Sequence, residues 1–359
     1  MKILIVSGFF YPQNTPRAFR TTELAKEFAR LGHDVRVYFP QSNFDYSKFK
    51  KENPNIQICF IPPIGGETPT GGMRYKIWRV ANMLISYPSI KYYKILKNVL
   101  KDEKNYDLLV SVAVPHPIHW GIGRIYNSRK IAKTWIADCG DPYMLCKTDS
   151  HNAPSYMRYF EDLWCKKCDY ISVPTETSYT GYYPEYHDKI KVIPQGFNFE
   201  DTKIPKYIPN KIPTFIFAGV FIKGKRDPQK LMEYLCSIDK PFRFIVYGSN
   251  AHQFMDAYTD KLGDKLVIHN PIARNLLIPE MAKADFLLNI GNGTKVQTPS
   301  KLIDYTLAKR PVLTIETNDI KEDVLTEFLA ANYANKDAEI DISRYDIHNV
   351  AQQFLALCK

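Results

Sequence analysis

Apolar residues along this chain gather into short runs that alternate with longer segments patterned at the helical period. Ile3–Ser7 is a continuous apolar run closed by Gly8, as expected of a strand buried on both faces. Leu24, Ala25, Phe28 and Leu31 recur at helical spacing over Arg17–Leu31, and Gly32 fits the C-cap. Strands follow at Val35–Phe39, Ile56–Ile61, Leu108–Val112 and Thr134–Ala137, with a helical pattern at Tyr159–Cys168. Glu200–Pro213 is polar, holds three prolines and has no periodicity, which marks a linker. Beyond it the pattern resumes with strand Thr214–Gly219, helix Pro228–Ile238, strand Phe242–Tyr247 ending in Gly248-Ser249, and strand Val267–His269. Helix Pro279–Ala284, strand Ala284–Asn292, strand Pro311–Ile315 and helix Ile347–Leu357 complete the predicted series. Strands alternating with helices predict parallel sheets covered on both faces.

Length turns that into two domains. A chain of 359 residues exceeds what one core usually serves, about 250–300 residues. Its hydrophobic content of 45% suits packed cores rather than disorder. No run of 18 apolar residues occurs, so no membrane span is expected. The apolar run after Met1 is too short for a leader and reads as the first strand, so a cytoplasmic location is expected. Seven cysteines, an odd count, argue against a disulfide framework. Cys139, Cys146, Cys165 and Cys168 fall close together, yet the wide first spacing and the helical pattern around the last two favour buried thiols over zinc.

The segment Gln297-Thr298-Pro299-Ser300-Lys301-Leu302-Ile303-Asp304-Tyr305 carries the most chemistry. Pro299 fits the first turn of a helix, where a missing N–H costs nothing. The free N–H groups there, with Ser300 and the charge of Lys301, suit an anion. Asp304 lies one turn further on the same face, placed to accept from sugar hydroxyls. The plainer alternative is an ordinary helix start with a surface Lys–Asp pair. The context is a buried strand ending in a polar loop through Gly291 and Asn292, then this helix, then a second strand; ligands of open α/β sheets bind at such strand ends.

On these residues the chain resembles the donor site of family 4 glycosyltransferases, in the branch that builds bacterial surface polysaccharides. The resemblance extends to the opening strand, loop and helix with Gly32-His33, to Asp138-Cys139-Gly140-Asp141-Pro142-Tyr143, to Pro194-Gln195-Gly196, and to Ala218-Gly219 with Arg226-Asp227-Pro228. It implies the α/β GT-B fold, two Rossmann-like doubly wound domains facing a cleft: an acceptor domain over 1–195, a nucleotide-sugar donor domain over 196–345, and a last helix in 346–359 folding back on the first domain. It implies Arg226 and Lys301 on the donor diphosphate, aided by Lys225 or Lys223, with Gly219, Gly248, Asn292, Gln297, Ser300 and Asp304 around the donor. His116, and secondly His119, would face acceptor or sugar. Gly8 would let a ligand approach the backbone, and Arg17 and Arg20 would meet phosphate. Asp141 would stand near the acceptor. Each has a plainer alternative: surface arginines, hydrogen-bonded loop histidines, a structural carboxylate.

The implied activity is retaining transfer of a sugar from a nucleotide-sugar substrate to a glycan or polyprenyl-linked acceptor, with no cofactor and no metal. No Asp-x-Asp occurs in the chain, in keeping with metal-free transfer. One departure stands out: the family's first acidic residue of a pair is replaced by Val296, which leaves room for a non-catalytic nucleotide-binding protein of the same fold. Two rival motifs weaken on inspection. Gly219 to Lys225 follows the P-loop spacing, but Arg226 stands where a hydroxyl must hold magnesium. Gly121-x-Gly123 lacks the third glycine of a dinucleotide fingerprint.

Charge adds one more expectation. Net charge is +10, and 74–104 holds eight Lys/Arg against Asp102 and Glu103, interleaved with Tyr75, Trp78, Tyr87, Tyr92 and Tyr93. Basic amphipathic surfaces with interfacial aromatics adsorb to anionic bilayers, so 74–104 is expected to meet the inner membrane face. No nucleic-acid-binding motif accompanies it, and nucleic acid is not an expected partner.

Overall fold

The computed structural model describes residues 1–66, 68–126, 131–146, 153–200, 203–291 and 300–358, the side chains of Ser300 and Lys301 excepted. Strands β1 (Lys2–Ser7), β2 (Asp34–Pro40), β3 (Ile56–Ile61), β4 (Tyr106–Ala113), β5 (Ala132–Cys139), β6 (Tyr170–Val173) and β7 (Ile190–Val192) form one sheet. Strands β8 (Thr214–Ala218), β9 (Arg243–Tyr247), β10 (Leu266–His269), β11 (Phe286–Ile290) and β12 (Val312–Ile315) form another. The helices are α1 (Pro16–Arg30), α2 (Ser47–Glu52), α3 (Gly72–Ile85), α4 (Tyr92–Val99), α5 (Pro117–Ile125), α6 (Arg158–Cys165), α7 (Gln229–Ser237), α8 (Ala251–Leu262), α9 (Arg274–Met281), α10 (Ser300–Leu307), α11 (Glu322–Leu329) and α12 (Ile347–Ala356).

The chain divides into two compact units, Met1–Asn198 with Ser343–Lys359, and Phe199–Ile342. Both sheets are wholly parallel. Their orders, β3-β2-β1-β4-β5-β6-β7 and β10-β9-β8-β11-β12, reverse direction at β1/β4 and at β8/β11. Such switch points open a crevice beyond the strand C-termini.

Strand alternation decides which side chain meets which layer. Leu4 and Val6 face a core with Leu109, Trp120, Trp135 and Trp164, while Ile3 and Ile5 face the opposite core with Phe28, Val110, Ile136 and Phe354. Helix α12 belongs to that second layer. Ile347, Val350, Ala351 and Phe354 are buried there, and Phe354 meets Phe28 of α1 edge to face at 6.4 Å. The crossover is fixed by backbone: Phe197 N donates to Tyr345 O, and Ile347 N donates to Phe197 O. A Cβ on Gly196 would lie 2.6 Å from Ile347 Cδ1, so a glycine there lets α12 close in.

In the second unit Phe215 stacks on Phe244 and on Phe286, at 4.5 and 4.8 Å, beneath α7, α8 and α11. Ile216, Ala218 and Leu287 face the other way, against α9 and α10.

The structure differs from the sequence expectations in several places. His116 to Trp120 open helix α5 rather than a loop, with Pro117 in its first turn. Gly121 and Gly123 lie within α5, where a Cβ would meet Tyr92 O at 2.8 Å and Trp164 Cβ at 3.0 Å; they are helix-packing glycines. The helix expected at Pro279–Ala284 is α9, five residues earlier, with Pro279 inside its last turns. Strands β6 and β7 and helices α3, α8 and α11 are not among the predicted elements: β6 and β7 span only four and three residues, too few to show a period, α8 and α11 each bury only three residues, and α3 buries none.

Candidate functional site

The second unit concentrates the predicted donor residues. Gly219 follows β8, Gly248 follows β9, and α10 follows β11. Gly219 N donates to Tyr247 O, and Gly248 N donates to His269 O. A Cβ on Gly248 would lie 2.7 Å from Gly219 O, so the two turns abut only because residue 248 has none. Helix α10 is set by Tyr305, which is fully buried. Its hydroxyl donates to Leu288 O and accepts from Ala218 N, both at 3.0 Å, tying the helix to β11 and β8. One turn thus places Asp304 beside the glycine turns. Gly219, Gly248, Asp304 and Tyr305 line one recess of about 230 Å³ with Val220, Tyr247, Ser249, Pro271, Ile272, Leu277 and Met281.

Arg274 enters the recess chemistry unannounced by any motif. It binds Asp304 through Nε at 2.7 Å and Nη2 at 2.6 Å, both to Oδ1. Burial raises the Asp304 pKa, against the pull of Arg274.

A basic turn stands after β8. Ile222 and Arg226 bridge antiparallel around Gly224, which adopts φ +73°. Asp227 accepts from Gly224 N and, through its other oxygen, from Gln229 N, so one carboxylate closes the turn and starts α7. Thr317, past β12, donates to Lys225 O and accepts from Asp227 N. The turn therefore sits at strand C-termini, but α7 begins only at Gln229, after Asp227-Pro228, where a P-loop would open its helix at the lysine. Lys225 is exposed. Arg226 is half-buried, and its Nε is enclosed with no hydrogen-bond partner among the described residues. Glu316, another residue no motif marked, lies so close to Gly291 that a Cβ there would be 2.2 Å from its Oε1. Of the remaining donor-side candidates, Asn292 and Gln297 lie outside the described residues, as do the side chains of Ser300 and Lys301 in the first turn of α10.

The first unit sorts its candidates differently. Gly8 faces no open space: a Cβ there would lie 2.2 Å from Pro115 Cδ, so its role is tight packing of two loops. Arg20 is 2% exposed and held by Asp138 at 2.7 and 3.1 Å and by the carbonyls of Pro194 and Ile193, which removes it from any phosphate role. Arg17 shares Asp138 at 3.6 Å, lies over Gly140, and feels the charge of exposed Asp141. Burial lowers the Arg17 pKa, and Asp138 opposes it.

His119 is wholly buried, not acceptor-facing. Its Nδ1 is 2.8 Å from Ser111 Oγ, its Nε2 is 3.3 Å from Cys139 Sγ, and its ring packs on Trp164. Burial pushes its pKa down to about 3. His116 starts α5 just past β4, tilted against Tyr143 at 4.9 Å, and its Nδ1 has no partner among the described residues. Burial pushes its pKa down to about 4, so its ring is neutral near pH 7. Cys139, Cys165 and Cys168 are buried free thiols, Cys146 is buried as well, and among the described residues no three metal-ligating side chains converge.

Solved structures resemble the chain over nearly its whole length. A glycosyltransferase from Rickettsia africae matches with a TM-score of 0.63 at 12% identity, covering 99% of this chain and 97% of that one. The apo form of the lipopolysaccharide outer core galactosyltransferase WaaB matches with a TM-score of 0.60 at 11% identity, covering 99% and 98%. UDP-GlcNAc 2-epimerase from Neisseria meningitidis, bound to UDP-GlcNAc, matches with a TM-score of 0.58 at 14% identity, covering 99% of both. No protein-family model matches the chain, and no curated protein matches it in sequence. The two parallel sheets and these likenesses define the fold as GT-B, built of two Rossmann-like domains.

Proposed function

We propose that the chain is a glycosyltransferase that moves a sugar from a nucleotide diphosphate to a glycan or lipid-linked acceptor, with retention of configuration and without metal. The observation that carries this reading is the recess at the β8/β11 switch point, where Gly219, Gly248 and Asp304 meet; the turn bearing Arg226 follows Gly219 in the chain, and Arg226 does not itself line the recess. Its apolar wall suits a base. Oδ2 of Asp304, without a hydrogen bond among the described residues, suits ribose hydroxyls, and Arg226 with Lys301 suits a diphosphate. The first unit then holds the acceptor, with His116, Arg17 and Asp141 at the ends of its strands.

The step needs no enzymatic nucleophile. The bond from the anomeric carbon to the diphosphate oxygen breaks, and the acceptor oxygen bonds to that carbon on the same face. The acceptor proton passes to the departing phosphate. Cations and helix α10 stabilise the charge that gathers on the diphosphate.

The fold likeness to an epimerase of UDP-GlcNAc supports a nucleotide-sugar site equally well, so the test must separate the reactions. Thermal-shift screening with UDP, GDP, ADP and CMP sugars identifies the donor. Incubating that donor with and without an acceptor extract then distinguishes transfer, epimerisation and binding alone. Product that forms only with acceptor, and disappears in Arg226→Ala, supports transfer. Epimerised donor without acceptor, or binding without turnover, overturns it.

A further inference from the structure

Among the described residues, helix α3 stands apart from the other long helices: none of its residues is buried. It is nevertheless rich in apolar residues. Met73, Ile77, Val80 and Leu84, spaced at four, three and four, form one stripe and are 69%, 63%, 50% and 41% exposed. Met83 and Ile85 extend it, also exposed. Lys76 and Arg79 lie on one flank and Arg74 on the other, and no Asp or Glu occurs from Thr68 to Lys101. A water-facing apolar stripe of this size, rimmed only by cations, marks a surface that is covered in use.

We infer that α3 is a membrane-docking helix that lays this stripe into the headgroup region of an anionic phospholipid bilayer. Charge complementarity selects that occupant. A solely cationic rim around an apolar stripe matches a layer that is apolar beneath and negative on top. The neighbouring elements agree. Tyr156 is 53% exposed beside it, its Oη donating to Leu84 O, and Tyr159, 64% exposed, lies one turn further along the chain. Such amphipathic rings favour the interface. Helix α4, by contrast, buries Tyr92 and Leu96, so its Lys94 and Lys97 add positive charge but no insertion.

The helix is joined to the acceptor-side residues of its own unit. Ser86, at its C-terminal end with φ +54°, lies 3.0 Å from the hydroxyl of Tyr143, whose ring packs on His116. A lipid-linked acceptor held at the bilayer by α3 would arrive beside His116. That consequence rests on the proposed transfer reaction, whereas the docking itself does not.

The test is sedimentation of the full chain with vesicles of phosphatidylcholine alone and of phosphatidylcholine mixed with phosphatidylglycerol. Binding at least about tenfold tighter to the anionic vesicles is expected, weakening as salt rises. The variant Ile77→Glu with Leu84→Glu should lose about tenfold or more of it. Lys94→Gln with Lys97→Gln should lose less. Because α3 contributes nothing to either core, the variants keep the wild-type melting temperature and nucleotide response, which checks folding. Equal binding to both vesicle types, or no loss in the Ile77/Leu84 variant, overturns the inference. So does a wild-type dimer that the variant turns monomeric without vesicle binding, since the stripe would then cover a second copy. Vesicle binding without any nucleotide response would leave the docking intact and refute the transfer reaction.

Discussion

Arg274 grips Asp304 by one oxygen only: Nε and Nη2 both reach Oδ1, at 2.7 and 2.6 Å, and Oδ2 has no hydrogen bond among the described residues. The arginine on α9 thereby orients a carboxylate on α10 toward the recess that the Gly219 and Gly248 turns complete. Asp304→Ala should weaken nucleotide-sugar binding by about 1.5–3 kcal/mol, roughly tenfold to a hundredfold. Arg274→Ala should weaken it less, by misorienting rather than deleting the acceptor oxygens. Isothermal titration with the preferred nucleotide measures both, and equal affinities for wild type and Asp304→Ala would remove Asp304 from the site.

Arg226 acts, on the proposed mechanism, when charge develops on the diphosphate. Arg226→Ala should therefore lower kcat by about 10²–10³ while leaving the melting temperature within experimental scatter. Arg226→Lys should recover only part, because Nε–H and the planar fork are lost. Steady-state kinetics with the identified donor decide it. A variant changed only in KM would mean that Arg226 binds the ground state alone.

Asp138 is the buried counter-charge of the first unit. Burial raises its pKa, but Arg20, Arg17 and the Ser172 hydroxyl outweigh that and hold it below the usual carboxylate range. A depressed folded pKa stabilises the fold above the unfolded value of about 3.9, and that stability is lost as pH falls through the folded value. Asp138→Asn should cost about 3–5 kcal/mol near pH 7, since Arg20 would be left buried without its partner. It should also flatten the acid limb of the stability curve. Urea melts from pH 2 to pH 7 read both, and an unchanged acid limb would refute the assignment.

Glu161 shows the opposite sign. It is fully buried, Oε1 makes only a long contact from Met144 N at 3.5 Å, and Oε2 has no partner among the described residues. Burial pushes its pKa up to about 8. The unfolded carboxyl ionises near pH 4.3 while the folded one stays protonated, so stability declines between about pH 4.3 and 8. Glu161→Gln should stabilise the protein by about 1–3 kcal/mol at pH 8 and by little at pH 4. Thermal melts at those two pH values check it; a variant less stable at both would show that the acid has an unseen partner.

Periodicity and residue type along the chain are enough to specify two open parallel sheets. Ile3 to Val6, Phe215 to Ala218 and Phe286 to Ile290 cannot be solvated, and the helical segments between them must cover both faces. The same local chemistry marked the two glycine turns and Asp304, because strand ends and a one-turn spacing are properties of sequence. It places His116 ahead of His119 but treats Arg17 and Arg20 alike, since which way each side chain faces is not written in the local sequence. Packing decided those: Asp138 draws Arg20 inward, and Trp164 with Cys139 encloses His119. Arg274, Glu316 and the bare stripe of α3 were also settled only by the fold, because partners 30 residues apart and the absence of burial are relations between segments that no local pattern encodes.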